Sequence, residues 1–201
     1  MQQAAFKRIG LTGGIASGKS TVSRLLSDRG FALIDADAVS RKITAPGGAA
    51  LPDIRKTFGD AFIAADGGMD RDKMRTLVFG QPSAKAQLQS LLHPLIRKAM
   101  ADTEAHIKAE GKPLVIWDVP LLVESLSGRE QWDGVIVVDC SEERQVARVM
   151  ARNGWNAQEA QAVMASQASR QERLAAATWV IDNDTDDMAT LIQQVQAWNP
   201  R

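Results

Sequence analysis

Gly13-Gly14-Ile15-Ala16-Ser17-Gly18-Lys19-Ser20-Thr21 is the feature that most narrows what this chain can become. It satisfies G-x-x-x-x-G-K-[ST], and its surroundings agree with the pattern. The apolar run Phe6–Leu11 comes immediately before it. A helical pattern from Lys19 to about Ser27 follows, with Val22, Leu25 and Leu26 spaced to bury one face. Glycines let a backbone turn tightly and aim its N–H groups inward at an anion. The helix behind the turn adds the positive end of its dipole. Lys19 then places a mobile charge on the β- and γ-phosphates of a nucleotide, and the Ser20 hydroxyl is suited to ligate Mg²⁺. The shape of the loop is expected to come from its glycines, and the structural alternative is an ordinary glycine-rich turn with an exposed lysine. No G-x-G-x-x-G occurs, which argues against a dinucleotide fold.

Five short apolar runs read as buried strands: Phe6–Leu11, Phe31–Ile34, Leu114–Trp117, Val135–Val138 and Trp179–Ile181. Most are rich in β-branched residues and do not strictly alternate, as in a parallel sheet covered on both faces. Helical stretches separate them, which predicts an α/β three-layer fold on a five-stranded parallel sheet. The spacing is uneven, because Ala36 to Pro113 is far longer than a crossover requires. Helical patterns occupy it near Ala49–Phe58, Asp70–Phe79 and Ser83–Ala109, and Pro94 should kink the last or mark a boundary. We expect one unit made of a core (1–35, 112–140 and 178–201), a helical insertion at about 36–111 and a helical appendage at about 141–177.

Composition narrows the partners. Lys plus Arg and Asp plus Glu are 24 each, so the net charge is zero. A chain that lives on nucleic acid or an anionic membrane usually carries a basic surplus. The single cysteine, Cys140, allows no internal disulfide and no cysteine cluster for zinc, and its place at an apolar strand end marks it as core. The first eight residues show no basic-then-apolar signal layout, and no apolar run approaches the ~20 residues of a membrane span. The expected compartment is the cytoplasm, with no obligate protein partner evident.

Neither N-K-x-D nor D-x-x-G occurs, as a GTPase would normally require. A kinase of small molecules is left as the leading class, with ATP and Mg²⁺ as its cofactors. Such an enzyme needs a group to orient or deprotonate the acceptor hydroxyl. Strand two ends in Asp35-Ala36-Asp37, at the carboxyl edge where open α/β sheets bind ligands. Asp37 reads as functional, whereas Asp35 suits a helix cap as well as a role in chemistry. Arg41 shares a helix face with Asp37 if a helix starts there. Asp118, after strand three, stands where a second acidic element would help hold the metal, or where a carboxylate would start a helix. Arg144, Arg148 and Arg152 recur every fourth residue on a helix that Ser141 could cap, followed by Arg170 and Arg173. Such a stripe is either a solvated face or a set of cations for phosphate, and Arg148 is the one favoured for phosphate. His106 reads as surface, while His93, ahead of Pro94, is harder to explain by packing.

Leu11 to Thr21, Asp35-Ala36-Asp37 with Arg41, Leu92-His93-Pro94-Leu95-Ile96, Pro120-Leu121-Leu122-Val123-Glu124 and Val180-Ile181-Asp182-Asn183 together resemble the dephospho-coenzyme A kinase family, in order and spacing, over roughly residues 6 to 190. The resemblance implies phosphorylation of the ribose 3′-hydroxyl of dephospho-CoA by ATP, the final step of coenzyme A synthesis. It also implies a P-loop kinase core, a helical CoA-binding region and a lid. Asp37 matches the family's proposed base and Arg148 its lid arginine. Asn183 falls in the segment associated with adenine, and Gly14, Ile15, Ala16, Ser17, Gly18, Lys19, Ser20 and Thr21 match the nucleotide loop. Thr12, Asp37, Arg41, His93 and Leu121 are the acceptor-side positions, and Ser20 with Asp118 the metal side. A stand-alone enzyme of the bacterial type, with no fused second enzyme, is expected. Two other readings remain: a kinase of a nucleoside, nucleotide or sugar acid, and a regulatory nucleotide-binding protein without turnover.

Overall fold

The computed structural model describes residues 5–124 and 132–200. Residues 1–4, on which half of the N-terminal reading rests, lie outside that range, as do 125–131 within the expected core. The chain divides into two compact units, one of residues 1–33 with 107–201 and one of residues 34–106.

The first unit is built on the sheet. Its strands are β1 (Lys7–Gly13), β3 (Leu114–Asp118), β4 (Gly134–Asp139) and β5 (Trp179–Asp182), and β2 (Ala32–Asp35) straddles the division between units. The order is β2-β3-β1-β4-β5, with β1 parallel to β3 and β4, and β4 parallel to β5. All five strands fall on the apolar runs, within two residues at each end. The lack of alternation has the expected cause: every residue of β4 is buried. β1 is central. Leu11 stands opposite Asp118 on one side and Gly13 opposite Val138 on the other. Each neighbour is reached in a different direction, so the carboxyl end of β1 lies at a switch point of the sheet, where ligands bind.

Ile9, Leu11, Ile116, Ile136 and Val138 pack with Val22 and Leu26 of α1 (Lys19–Asp28) and with Leu191 and Val195 of α9 (Met188–Ala197). Trp198 closes this core, edge-on to both Phe31 and Trp179. Cys140 is buried, and burial pushes its thiol up from the ordinary value. The helices α6 (Glu142–Asn153), α7 (Ala157–Ala165) and α8 (Arg170–Ala176) fill the second long interval. Capping boxes start α7 at Asn156 and α8 at Ser169. Ser141 stands at the start of α6 but does not cap it by its side chain. Its hydroxyl donates to Asp184 at 2.7 Å.

The second unit is helical: α2 (Ala36–Ile43), α3 (Leu51–Phe58), a 3₁₀ turn (Asp60–Phe62), α4 (Arg71–Gly80) and most of α5 (Pro82–Ala109). It has its own core of Ile43, Ala50, Ile54, Met74 and Leu92. Pro94 marks no boundary, for α5 runs past it.

Candidate active site

β1 delivers the chain into the loop at Gly13, and α1 takes it up at Lys19. Between them the glycines answer to close neighbours. A Cβ on Gly14 would collide with the Gln145 amide and lie 2.8 Å from Arg173 Nη2, and one on Gly18 would collide with the Asn183 amide. Gly18 also has φ of 93°, in the left-handed region that favours glycine. The other left-handed residue of the loop is not a glycine. Ala16 has φ of 56° and is the one non-glycine with positive φ among the described residues. The expectation that glycines alone shape the loop is therefore corrected at this step.

Four side chains from outside the loop hold it. Gln145 Nε2 donates to the Ile15 carbonyl at 2.7 Å, and Gln167 Oε1 accepts from the Ile15 N–H at 2.9 Å. Asn183 Nδ2 donates to the Ser17 carbonyl at 2.7 Å. Arg148 donates to the Ala16 carbonyl at 3.5 Å and to the carbonyls of Asn183 and Thr185 at 3.1 and 3.0 Å. Arg148 thus joins the loop to the segment after β5 through backbone oxygens.

Lys19 forms an ion pair with Asp118 at the end of β3. The Asp118 side chain is 6% exposed and that of Lys19 18%. The β1–β3 register brings the two together, since Asp118 stands beside Leu11 and Val119 N–H donates to the Leu11 carbonyl at 3.0 Å. Thr12 is buried and donates its hydroxyl to the Pro120 carbonyl at 3.0 Å, which sets the turn that carries Leu121, 48% exposed. Asp118 and the exposed Ser20 offer hard oxygen donors, the class Mg²⁺ takes, and only Oδ1 of Asp118 is engaged by Lys19.

The remaining arginines separate into roles that spacing alone did not reveal. Arg144 pairs with Asp184 at 3.1 Å and with Asp186, and Arg152 reaches Asn153. The hydroxyl and N–H of Ser141 hold the Asp184 carboxyl below the usual carboxylate range, and Arg144 adds to this. Arg170 grips the buried Asp139 through Nε and Nη2, which raises the guanidinium further. Arg173 differs from them all. It is 6% exposed, packs against Gly14, donates to the Ala168 carbonyl and forms no carboxylate ion pair among the described residues. A buried guanidinium without a counterion is costly unless an anion joins it. A cavity of 440 Å³ opens beside it, lined by Gln145, Gln167, Ser169 and Arg170 among others.

In the helical unit, Asp35 caps α2 by accepting the Ala38 N–H at 2.9 Å. Arg41 lies 3.6 Å from Asp35 rather than pairing with Asp37, which is exposed on the first turn of α2. His93 is exposed on α5.

Sequence reasoning missed Gln145 and Gln167 and left Arg173 among several arginines. Gln145 had a readable signal. It occupies, with Val149, the buried face of α6, where an apolar residue would be expected. Gln167 had none, since it lies in the turn between α7 and α8, 152 residues from its partner.

Comparison with known proteins shows the family. The sequence profile of the dephospho-CoA kinase family matches residues 7–188. A dephospho-CoA kinase of Dechloromonas aromatica is 52% identical over 189 residues, covering 94% of this chain and 89% of the relative. The solved structure of dephospho-CoA kinase from Campylobacter jejuni superimposes with a TM-score of 0.70 at 28% identity, over 94% of this chain and 93% of that one. A Thermus thermophilus protein, TT1252, reaches 0.79 at 29% identity, over 96% and 95%. A G-x-x-x-x-G-K-[ST] loop at the end of the central strand, a buried acid one strand away and identity that runs through both units leave one assignment: this chain belongs to the dephospho-CoA kinase family.

Proposed function

We propose that this protein transfers the γ-phosphate of ATP to the 3′-hydroxyl of the ribose of dephospho-CoA, giving coenzyme A. The observation that carries the reading is the Lys19–Asp118 pair at the switch point, in a chain of this family. In the reaction Lys19 leaves Asp118 for the β- and γ-phosphates, while the N–H groups of the loop and the start of α1 hold the phosphate chain. Mg²⁺, when bound, neutralises phosphate charge, and Ser20 and Asp118 are the residues that would hold it. Arg173 supplies the buried cation nearest Gly14, and Arg148 with Asn183 shapes the adenine side. Asp37 orients the acceptor hydroxyl and takes its proton, a task worth ~10²–10⁴ in rate. Arg41, His93, Thr12 and Leu121 belong to the acceptor side. Residues of about 36–111 hold the long acceptor, and those of about 141–177 act as a lid. We place the reaction in the cytoplasm; among the described residues no helix is long and apolar enough to cross a membrane.

A long acceptor offers binding energy remote from the reacting hydroxyl, and truncating it lowers turnover as well as affinity. ATP consumption measured with dephospho-CoA, adenosine, AMP and gluconate tests the reading. Turnover should be high with dephospho-CoA alone, and phosphorus NMR of the product should place the new phosphate on the 3′-oxygen. Efficient use of adenosine or gluconate, or phosphate on another atom, would overturn the substrate assignment.

A further inference from the structure

Ile15 is held at both ends of its own residue by glutamine side chains. Its carbonyl accepts from Gln145 Nε2 and its N–H donates to Gln167 Oε1. The next residue, Ala16, is the one whose backbone stands in the left-handed region without being glycine. An L-residue with a Cβ disfavours that conformation by roughly 1–2 kcal/mol, so a free loop would relax out of it. Within the loop the one short tie spanning this step is Ser17 N–H to the Gly14 carbonyl, at 3.0 Å. The rest of the restraint comes from far along the chain.

We infer that Gln145 and Gln167 are positioning residues that clamp the Ile15–Ala16 step in the conformation that receives the phosphates of ATP. They act through the loop backbone. The inference rests on the phosphate-binding role given to the loop above. Gln145 is suited to it because it is 1% exposed on α6 and packed against Gly14. Its Oε1 is buried without a partner, so its amide is committed through the donor side alone. Gln167 is suited because the turn that carries it is itself tied down. Ala168 N–H donates to Glu124 Oε1 at 2.8 Å, and Arg173 donates to the Ala168 carbonyl. The α7–α8 turn and the nucleotide loop are thereby one mechanical piece: when the turn is docked, the Ile15 N–H is fixed, and when it lifts, the strained step is released.

The test replaces each glutamine by methionine, which keeps length and volume and removes the hydrogen bond. Affinity for ATP is read by direct titration in the full chain, with no acceptor present, so the outcome does not depend on which acceptor is correct. Gln145→Met and Gln167→Met should each weaken ATP binding about tenfold, as for the loss of one well-placed hydrogen bond. With saturating ATP, turnover should fall less than the affinity does. The same substitutions are then made on an Ala16→Gly background. Glycine enters the left-handed region without the steric penalty, so there each glutamine should cost less than about threefold. Equal losses on both backgrounds would show that the glutamines do not act through this step. Unchanged ATP affinity in Gln167→Met would overturn the clamp outright. Gln167 is the safer variant, being only half-buried, so a poorly folded Gln145→Met leaves the inference open to refutation. Weakened binding of ATP together with no phosphorylation of dephospho-CoA by the wild type would uphold the clamp and sink the substrate assignment.

Discussion

Removing the Lys19 side chain should do two separable kinds of damage. The ammonium leaves the phosphates, and turnover should fall to less than about a tenth of wild type, since a charge at these oxygens acts on the transition state. The second effect follows from the ion pair. Lys19→Ala leaves the Asp118 carboxylate 6% exposed and without its cation. Breaking a fully buried pair by removing one partner costs about 3–5 kcal/mol. Lys19 is 18% exposed, so water reaches its ammonium and the coupling is screened in part; about 2–3 kcal/mol is the figure to expect here. Urea unfolding followed by tryptophan fluorescence suits the measurement, because all five tryptophans (Trp117, Trp132, Trp155, Trp179 and Trp198) belong to the unit that contains the loop. The decisive variant is Lys19→Ala with Asp118→Asn. Asparagine keeps the shape and removes the uncompensated charge, so the double variant should regain most of the lost stability and remain inactive. If its stability stays as low as that of Lys19→Ala alone, the loss comes from the lysine stem and not from the charge. If Lys19→Ala is as stable as wild type, Asp118 does not depend on Lys19 at all.

Two further predictions concern the acceptor and the arginines. Asp37→Asn should reduce turnover by ~10²–10⁴ while ATP affinity stays within about twofold, measured by kinetics with dephospho-CoA and direct ATP titration; a loss confined to ATP affinity would move Asp37 to the nucleotide side. Arg148→Ala should raise KM for ATP about tenfold by freeing three backbone carbonyls, whereas Arg144→Ala, which breaks contacts to two exposed aspartates, should change it less than twofold; equal effects would refute the separation of roles.

The sheet was legible because inner strands such as β3 and β4 are almost wholly buried, and burial writes itself into composition as runs of Val, Ile and Leu. The loop was legible because its chemistry needs particular residues at particular intervals. Asp118 could be placed at the end of β3, though only the register shows that it faces Lys19. What could not be read were contacts made by polar residues over long separations. Gln145 and Gln167 reach Ile15 across 130 and 152 residues, and no periodicity encodes a hydrogen bond at that distance. The arginine stripe is a related case. A four-residue interval puts side chains on one helix face but does not say what faces them, so Arg144 met carboxylates and Arg148 met carbonyls. Arg41 is a local case: its spacing from Asp37 is right for a pair, yet Asp35, at the helix cap, is the carboxylate it approaches.

β1 is paired along both edges, to β3 from Lys7 to Leu11 and to β4 from Ile9 to Gly13, where the loop begins. Its amides can exchange with solvent only when a neighbouring strand separates, which for a central strand means opening the whole sheet. The loop proposed to hold the nucleotide is therefore mounted directly on the central strand, which is expected to open late. Fraying of an edge strand such as β5 is expected to stop short of Gly13, which gives the loop a fixed origin.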